Sequence, residues 1–146
     1  MLAMARRDHP DIRTCVGSIT ALPLPANRFD GIVYWYSTIH VDDARLPTAF
    51  REAHRVLRPH GVVLVAFQTG EGARDVAAGY RAFGHDVHLT RFHRAPDQMS
   101  DLLTEAGLRE ELRLVRKPLA AERDGQAFVM ASRVPQASED HWHGGP

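Results

Sequence analysis

The chain has 146 residues, of which 44% are hydrophobic and 25% are charged, and its formal net charge is zero. This length fits one domain with a single core. The 18 basic and 18 acidic residues are scattered, which leaves no electrostatic surface for nucleic acid or an anionic membrane. Cys15 is the single cysteine, so no internal disulfide can form, and no apolar run approaches the ~20 residues that span a bilayer. We therefore expect a cytoplasmic protein with neither a nucleic-acid nor a membrane partner.

The N-terminal residues predict a helix that is already in progress. The stretch "MLAMARRDHP" is amphipathic up to Pro10, but none of the usual N-cap residues precedes it. Residues 12–16 alternate in character and stop at Gly17, which predicts a short strand followed by a loop. Pro23 and Pro25 keep that loop irregular.

Two apolar runs predict buried strands with a helix between them. Residues 31–36 and 62–67 are rich in β-branched and aromatic residues, a pattern typical of strands covered on both faces. Between them, Asp42 and Asp43 are placed to cap a helix whose apolar residues recur at helical spacing over 46–57. This order predicts a βαβ unit with a right-handed crossover.

The second half of the chain predicts shorter elements. The composition becomes less regular over residues 70–95. The segment from residue 134 onwards lacks periodicity, which predicts a disordered tail. Pro96 suits the first turn of a helix, and Gly107 suits its end. The predicted elements are helices over 75–83 and 96–106 and strands over 108–116 and 126–133.

These motifs, in this order, resemble class I S-adenosylmethionine-dependent methyltransferases of the type 11-like, small-molecule kind. The matching residues are Gly17, Leu22-Pro23, Phe29-Asp30, His40 and Arg55-Val56-Leu57 followed by Pro59 and Gly61. The resemblance covers residues 1–133 and implies an α/β, three-layer Rossmann-like sheet, mainly parallel, with a C-terminal antiparallel strand pair. It divides the chain into a partial methyltransferase domain over 1–133, with 70–95 as a variable lid over the substrate, and a tail over 134–146.

The resemblance also implies that part of the family's domain precedes Met1. In the family, the first two strands and the glycine-rich cofactor loop come before the helix that "MLAMARR" resembles. We therefore expect a truncated domain that by itself binds S-adenosylmethionine weakly or not at all. An upstream region encoded in frame would supply the remainder; a natural truncation is the alternative.

Five candidate site residues follow from the resemblance. Ser18 stands where family members face the adenine amino group of the cofactor, and the backbone N–H of Ile19 would contact the adenine ring. Tyr34 and Tyr36 end the strand that contacts the methionine part of the cofactor. His40 is a candidate general base, since imidazole titrates near neutrality. Each has a structural alternative: a loop-capping serine, core packing for Ile19 and the aromatic residues, and a backbone hydrogen bond for His40.

Other histidines are weaker candidates. His85, His88 and His93 fall in the lid, but no carboxylate or cysteine pattern accompanies them, so we predict no metal site. His60 replaces a family glycine in "RVLRPHG", and it carries strain if that position requires a positive φ.

The predicted function is methyl transfer from S-adenosylmethionine to a small-molecule acceptor by the intact parent protein. Two other nucleotide-binding classes lack their motifs here, because neither G-x-G-x-x-G nor G-x-x-x-x-G-K-[ST] is present. The remaining alternative is a non-catalytic methyltransferase-like fragment that acts as an oligomerisation or partner-binding module.

The strand over 31–36 is expected to have an exposed edge. In the family, the two missing strands separate it from the strand matched by residues 12–16, and nothing in "GIVYWY" protects the edge with Lys, Pro or an inward charge. Either residues 12–16 move across to pair with it, or two chains associate as a homodimer. We predict association, because the loop over 17–29 contains two prolines and suits a wider span.

Overall fold

A computed structural model describes residues 2–84 and 86–135, which form a mixed α/β fold. The elements are α1 (Leu2–Asp8), β1 (Phe29–Trp35), a 3₁₀ turn (Thr38–His40), α2 (Leu46–Val56), β2 (Leu57–Gln68), β3 (Ala73–Asp75), α3 (Ala77–Arg81), β4 (Thr90–Phe92), α4 (Pro96–Glu105), β5 (Leu108–Arg116) and β6 (Gln126–Arg133). None of the described helices combines the length and the apolar character needed to cross a membrane. Met1, His85 and the predicted tail from residue 136 lie outside the described residues.

The main sheet has the strand order β1-β2-β6-β5. Strands β1 and β2 are parallel, with Tyr34 opposite Val65, whereas β6 is antiparallel to both β2 and β5. The α/β class, the βαβ unit and the C-terminal antiparallel pair are therefore confirmed. Strands β3 and β4 form a separate two-stranded sheet in the lid segment.

One face of the main sheet carries the hydrophobic core. Alternate residues of each strand point to this face, because side chains in a strand alternate with a period of two. The buried residues there include Tyr34, Val63, Val65 and Val129. Helix α2 covers them with apolar side chains at helical spacing, and α4 adds Met99 and Leu103.

The opposite face is exposed; we call it the open face and define it by Val33, Trp35, Leu112 and Leu114. Each of these side chains is more than half exposed. Parallel strands are normally covered on both sides. The described helices thus form a layer on one face only, and the second layer implied by a three-layer fold is not formed by residues 2–84 and 86–135.

The predicted strand over residues 12–16 is wrong. These residues are irregular, with Ile12 59% and Val16 78% exposed. A strand is stabilised by its ladder, and residues 12–16 do not pair with the outer edge of β1, which bonds only to β2 among the described residues. The alternative in which this segment pairs with β1 and closes the gap is therefore not realised, and the only parallel pair in the described sheet is β1-β2.

Two helices differ in extent from their predicted bounds. Helix α2 ends at Val56, because Leu57 is already extended, with φ −67° and ψ 145°, and begins β2. The lid helix predicted over 75–83 shortens to α3, because residues up to Asp75 pair with β4 instead. Helix α4 matches its prediction, and Gly107 ends it with a φ of 79°.

The loop before β1 is held on α2 by an ion pair and four further hydrogen bonds; we call the Arg55–Glu52 pair with these bonds the Arg55 clamp. Arg55 Nε donates to Glu52 at 2.7 Å, and its Nη atoms donate to the carbonyls of Leu24 at 2.9 Å and Leu22 at 3.1 Å. Glu52 accepts the Leu22 N–H at 2.8 Å. The loop ends with Asn27 N–H donating to the carbonyl of Arg55. The hydrogen bonds from Arg55 lower the pKa of Glu52, and the Leu22 N–H adds to this effect.

Gly17 allows the same loop to fold back on itself. A Cβ atom at this position would lie 2.5 Å from Cδ of Pro23, closer than side chains approach one another. The family match at Gly17 and Leu22-Pro23 therefore has a packing reason: the two segments touch.

The lid is anchored by a buried arginine. Arg94 is 2% exposed; its Nη2 lies 2.8 Å from Asp43 Oδ1 and donates to the carbonyl of Val41 at 2.5 Å. These contacts join the residues after β4 to the loop between β1 and α2. The lid and the segment that carries His40 are thus one connected unit.

We predict that Arg55→Lys releases the loop, because a single ammonium cannot reproduce the planar guanidinium contacts with Glu52, Leu22 and Leu24. Hydrogen exchange of the Leu22 amide should become roughly tenfold faster. The difference should be full above pH 4.5, the ordinary pKa of Glu52, and vanish as pH falls through its lowered pKa, since protonated Glu52 no longer pairs. Arg51→Lys on the exposed side of α2 is the control; equal exchange in both variants would contradict the clamp.

We predict that His60→Gly stabilises the protein. His60 has a φ of 65°, so the strain anticipated at this position is present. Glycine removes the steric strain of the left-handed conformation, and this gain outweighs the larger backbone entropy that glycine loses on folding. The free energy of unfolding in urea should therefore rise by about 0.5–1 kcal/mol. His60→Ala retains the Cβ and serves as the control; a gain of the same size with alanine would show that the imidazole, not φ, is responsible.

Candidate functional site

Three of the four predicted cofactor residues line one cavity. This cavity, which we call the Ser18 cleft, has a volume of about 270 Å³ and lies between the loop before β1 and the C-terminal end of β1. Its lining residues are Cys15, Gly17, Ser18, Ile19, Leu22, Pro23, Leu24, Tyr34 and Ser37. Open α/β sheets bind their ligands at the carboxyl ends of strands. The structure thus brings Ser18, Ile19 and Tyr34 together at a location suited to a ligand.

The hydroxyl of Ser18 is engaged within its own loop. Its Oγ accepts the Thr20 N–H at 3.2 Å and lies 2.8 Å from Thr20 Oγ1. The carbonyl of Ser18 accepts the Ala21 N–H at 3.0 Å. The loop-capping arrangement is therefore present. A hydroxyl has one donor and two acceptor sites, so one of these remains for a ligand.

Tyr34 reaches the cleft from the core. Its ring is 6% exposed and packs against Phe50, and its hydroxyl donates to the carbonyl of Ala49 at 3.4 Å. Burial, with a smaller contribution from the charge of Glu52, raises the pKa of Tyr34 to about 12. Tyr34 therefore stays protonated near neutral pH and acts as a wall of the cleft, not as a base.

Tyr36 lies in a different cavity from the other three. It has a φ of 50°, which is unusual for a bulky residue. Its N–H donates to the carbonyl of Ala66, and its hydroxyl donates to Gln126 Oε1 at 2.7 Å. These two bonds hold the ring at the end of β1 in a conformation that it would not adopt by itself.

His40 contacts the lid. Its Nδ1 lies 2.7 Å from the carbonyl oxygen of Thr90 at the start of β4. A carbonyl only accepts hydrogen bonds, so Nδ1 carries the proton, and in the neutral imidazole Nε2 is the basic nitrogen. The backbone hydrogen bond expected as the structural alternative is present, and it leaves Nε2 able to accept a proton.

A second cavity, which we call the Arg91 cavity, has a volume of about 430 Å³. It lies where β1 and β2 end and β6 begins. Its lining residues are Tyr36, Gln68, Arg91, Ala121, Glu122, Arg123, Asp124 and Gln126. Apart from Tyr36, none of these was a sequence candidate, because they belong to the lid, the β5–β6 loop and strand ends, where no periodic pattern marks a site.

The two carboxylates of the Arg91 cavity are paired with basic groups. Asp124 lies 3.2 Å from both Arg74 Nη1 and His93 Nε2. Burial works against ionisation of Asp124, but His93 and Arg74 outweigh it, so its pKa is lowered. Glu122 accepts two hydrogen bonds from Arg116, which with the Leu119 N–H lower its pKa to about 2.

No metal centre is assembled within residues 2–84 and 86–135, where no three His, Cys, Asp or Glu side chains are grouped to hold an ion. Of the three lid histidines, His85 lies outside the described residues, and His93 is buried beside Asp124.

Comparison with known proteins finds similarity to methyltransferases in both sequence and structure. The sequence profile of a methyltransferase domain matches residues 1–61. A malonyl-[acyl-carrier protein] O-methyltransferase of Halorhodospira halophila is 28% identical over 139 residues, which are 93% of this chain and 43% of the relative. The chain spans less than half the length of the curated relatives that it matches.

Two solved structures share the fold. The 1,6-didemethyltoxoflavin-N1-methyltransferase of Burkholderia thailandensis, determined with 1,6-didemethyltoxoflavin and S-adenosylhomocysteine, has a TM-score of 0.70 at 17% identity, covering 92% of this chain and 56% of that one. An S-adenosylmethionine-dependent methyltransferase from Mesorhizobium loti has a TM-score of 0.70 at 20% identity, covering 91% and 76%. These matches show that residues 1–61 are similar in sequence to a methyltransferase domain and that the chain shares the fold of S-adenosylmethionine-dependent methyltransferases.

Proposed function

We propose that the protein of which this chain forms a part transfers a methyl group from S-adenosylmethionine to a small-molecule acceptor. The observation that carries the proposal is the Ser18 cleft, which collects Ser18, Ile19 and Tyr34 beside the carboxyl end of β1. The residue types suit the adenine end of the cofactor: a hydroxyl with a spare hydrogen-bonding site and an apolar wall.

The described residues fit one end of the cofactor. Ser18 would bind the adenine amino group, and Ile19 would pack on the ring. The sulfonium supplies an already activated methyl group, so the protein mainly has to align the acceptor and exclude water. In this proposal the glycine-rich loop that completes the site belongs to polypeptide preceding Met1. The coverage of the relatives agrees with this, because the chain matches only 43% of the Halorhodospira protein.

We assign binding of the methyl acceptor to the lid, residues 70–95. Arg94 and His40 fasten this segment to the loop after β1, so an acceptor held beneath it would lie near the carboxyl ends of the parallel strands. His40 Nε2 would accept a proton where the acceptor must lose one. Among the relatives, the acceptors named are a malonyl-[acyl-carrier protein] and 1,6-didemethyltoxoflavin. We also propose a cytoplasmic location, which suits a free, exposed Cys15.

A second candidate function is a non-catalytic module that associates through its sheet. It is favoured by the open face, where Trp35 is 60% and Val33 62% exposed, and by the outer edge of β1, which is unpaired among the described residues. Unprotected apolar edges are templates for pairing with another chain.

We predict that a protein extended through the in-frame upstream region binds S-adenosylhomocysteine in calorimetry, and that Ser18→Ala weakens binding by ~1 kcal/mol, the value of one neutral hydrogen bond. Ala21→Ser, at the other end of the same turn, is the control and should leave affinity unchanged. No binding by the extended protein would refute the proposed function. Unchanged affinity in Ser18→Ala would limit Ser18 to capping its loop.

We predict that the 146-residue chain scatters light as a dimer, with a mass near twice its 16.3 kDa. Trp35→Lys should give a monomer, because a charge on the edge strand opposes pairing. Phe83→Lys, which changes a residue of the lid that is 83% exposed, should leave the dimer intact. A monomeric wild-type chain at micromolar concentrations would exclude association and the second candidate function based on it.

A further inference from the structure

We infer that the Arg91 cavity binds a carboxylate of the methyl acceptor, with Arg91 and Arg123 as the cationic groups. The role of the ligand as a methyl acceptor rests on the proposed function, whereas the binding of a carboxylate rests on the cavity alone. At about 430 Å³, the cavity is in the size range of small-molecule sites.

The charge distribution around the cavity favours an anion. Each wall carboxylate has its own basic partner behind the wall: Arg116 for Glu122, and Arg74 for Asp124. The charges of both acids are therefore already compensated before the wall arginines are considered. The two arginines of the lining then remain as excess positive charge.

Neither wall arginine has a close carboxylate of its own. The nearest approach of Arg91 is 3.6 Å, from Nη1 to Asp124 Oδ2, longer than the 3.2 Å contact that Arg74 makes with the same carboxylate. Within residues 2–84 and 86–135, Arg123 forms no ion pair. The 3.6 Å contact therefore leaves Arg91 with a planar guanidinium edge that no carboxylate closely pairs. A guanidinium edge of this kind binds a carboxylate with two parallel hydrogen bonds.

Two polar atoms in the wall of the Arg91 cavity lack hydrogen-bond partners. Gln68 Oε1 and Arg91 Nε are buried atoms without a partner among the described residues. Unpaired buried polar atoms are rare and call for an explanation. Both side chains line the cavity, and a turn of either side chain would bring its buried atom to a partner on an occupant: an oxyanion for Arg91 and an O–H or N–H donor for Gln68. This favours a carboxylic acid that also carries a hydroxyl, amino or amide group.

Tyr36 and Gln126 give the cavity a fixed shape. Gln126 is 5% exposed and uses both ends of its amide, accepting from the Tyr36 hydroxyl and donating to the Asp124 carbonyl at 3.1 Å. Tyr36 is held at a φ of 50°. Strained backbone conformations concentrate at ligand sites, where the surrounding structure maintains them. The strained residue lies where the cavity wall meets the end of β1, and β1 also reaches the Ser18 cleft through Tyr34.

The test is a titration of the ¹⁵N-labelled 146-residue chain with sodium malonate, followed by NMR and without any cofactor. The side-chain amide signals of Gln68 and Gln126 should shift and saturate. Neutral malonamide should shift them at least about tenfold less at equal concentration, because it has no negative charge to pair with the two arginines.

Arg91→Gln and Arg123→Gln should each weaken malonate binding about tenfold or more. Arg109→Gln is the matched control. It removes a guanidinium from the opposite end of β5, where Arg109 pairs with Glu111, and it should bind malonate like the wild type. The amide spectrum of each variant reports its fold in the same experiment.

Saturable malonate binding lost in both cavity variants would support the inference. It would be overturned by the absence of saturation, by equal binding of malonamide, or by equal affinity in Arg91→Gln and Arg109→Gln. These outcomes are independent of methyl transfer. Failure of the extended protein to bind S-adenosylhomocysteine would remove the acceptor role and leave the carboxylate site intact.

Discussion

The Arg55 clamp is the interaction on which the candidate site depends. The loop from Gly17 to Arg28 is not part of a strand. Its position relative to β1 is set by Arg55 and Glu52 on α2, which bind the backbone carbonyl and N–H of Leu22. The contact is one charge pair with its hydrogen bonds satisfied by loop carbonyls and an amide, an arrangement in which partly buried charges are stabilising. Because the clamp holds Leu22, and Gly17 packs on Pro23, it also places Ser18 and Ile19 against the end of β1.

The sheet that receives this loop is complete on one side only. Strand β2 is its centre, with a parallel partner in β1 and an antiparallel partner in β6, and α2 and α4 cover the core face. The open face presents an apolar surface of the kind that soluble proteins rarely leave exposed. The described residues can thus build the loop side of a ligand site, and they form no second layer on the open face.

Two cavities share the carboxyl end of this sheet, and β1 connects them. Tyr34 contributes to the Ser18 cleft, and Tyr36, two residues later, contributes to the Arg91 cavity. The first cavity is lined mainly by apolar groups and a hydroxyl, whereas the second is lined by arginines, carboxylates and amides. A cofactor with an aromatic base and an acceptor with a charged group would therefore meet different surfaces. The lid, anchored by Arg94, lies beside the second.

The sequence by itself determined the regular elements whose residues carry a period or a boundary signal. Helix α4 begins at Pro96, and β5 and β6 have their predicted bounds, because alternation and helical spacing are local properties of the chain. The grouping of Ser18, Ile19 and Tyr34 in one cleft was also implied by the motifs. Only the tertiary structure decided that residues 12–16 form no strand, since a strand forms only where its residues pair with a neighbour, and these residues do not pair with β1. It likewise assembled Arg91, Asp124 and Gln126, which come from separate segments of the chain. Their charges and hydrogen bonds act between residues that are far apart in the sequence, so no spacing along the chain predicts that they come together.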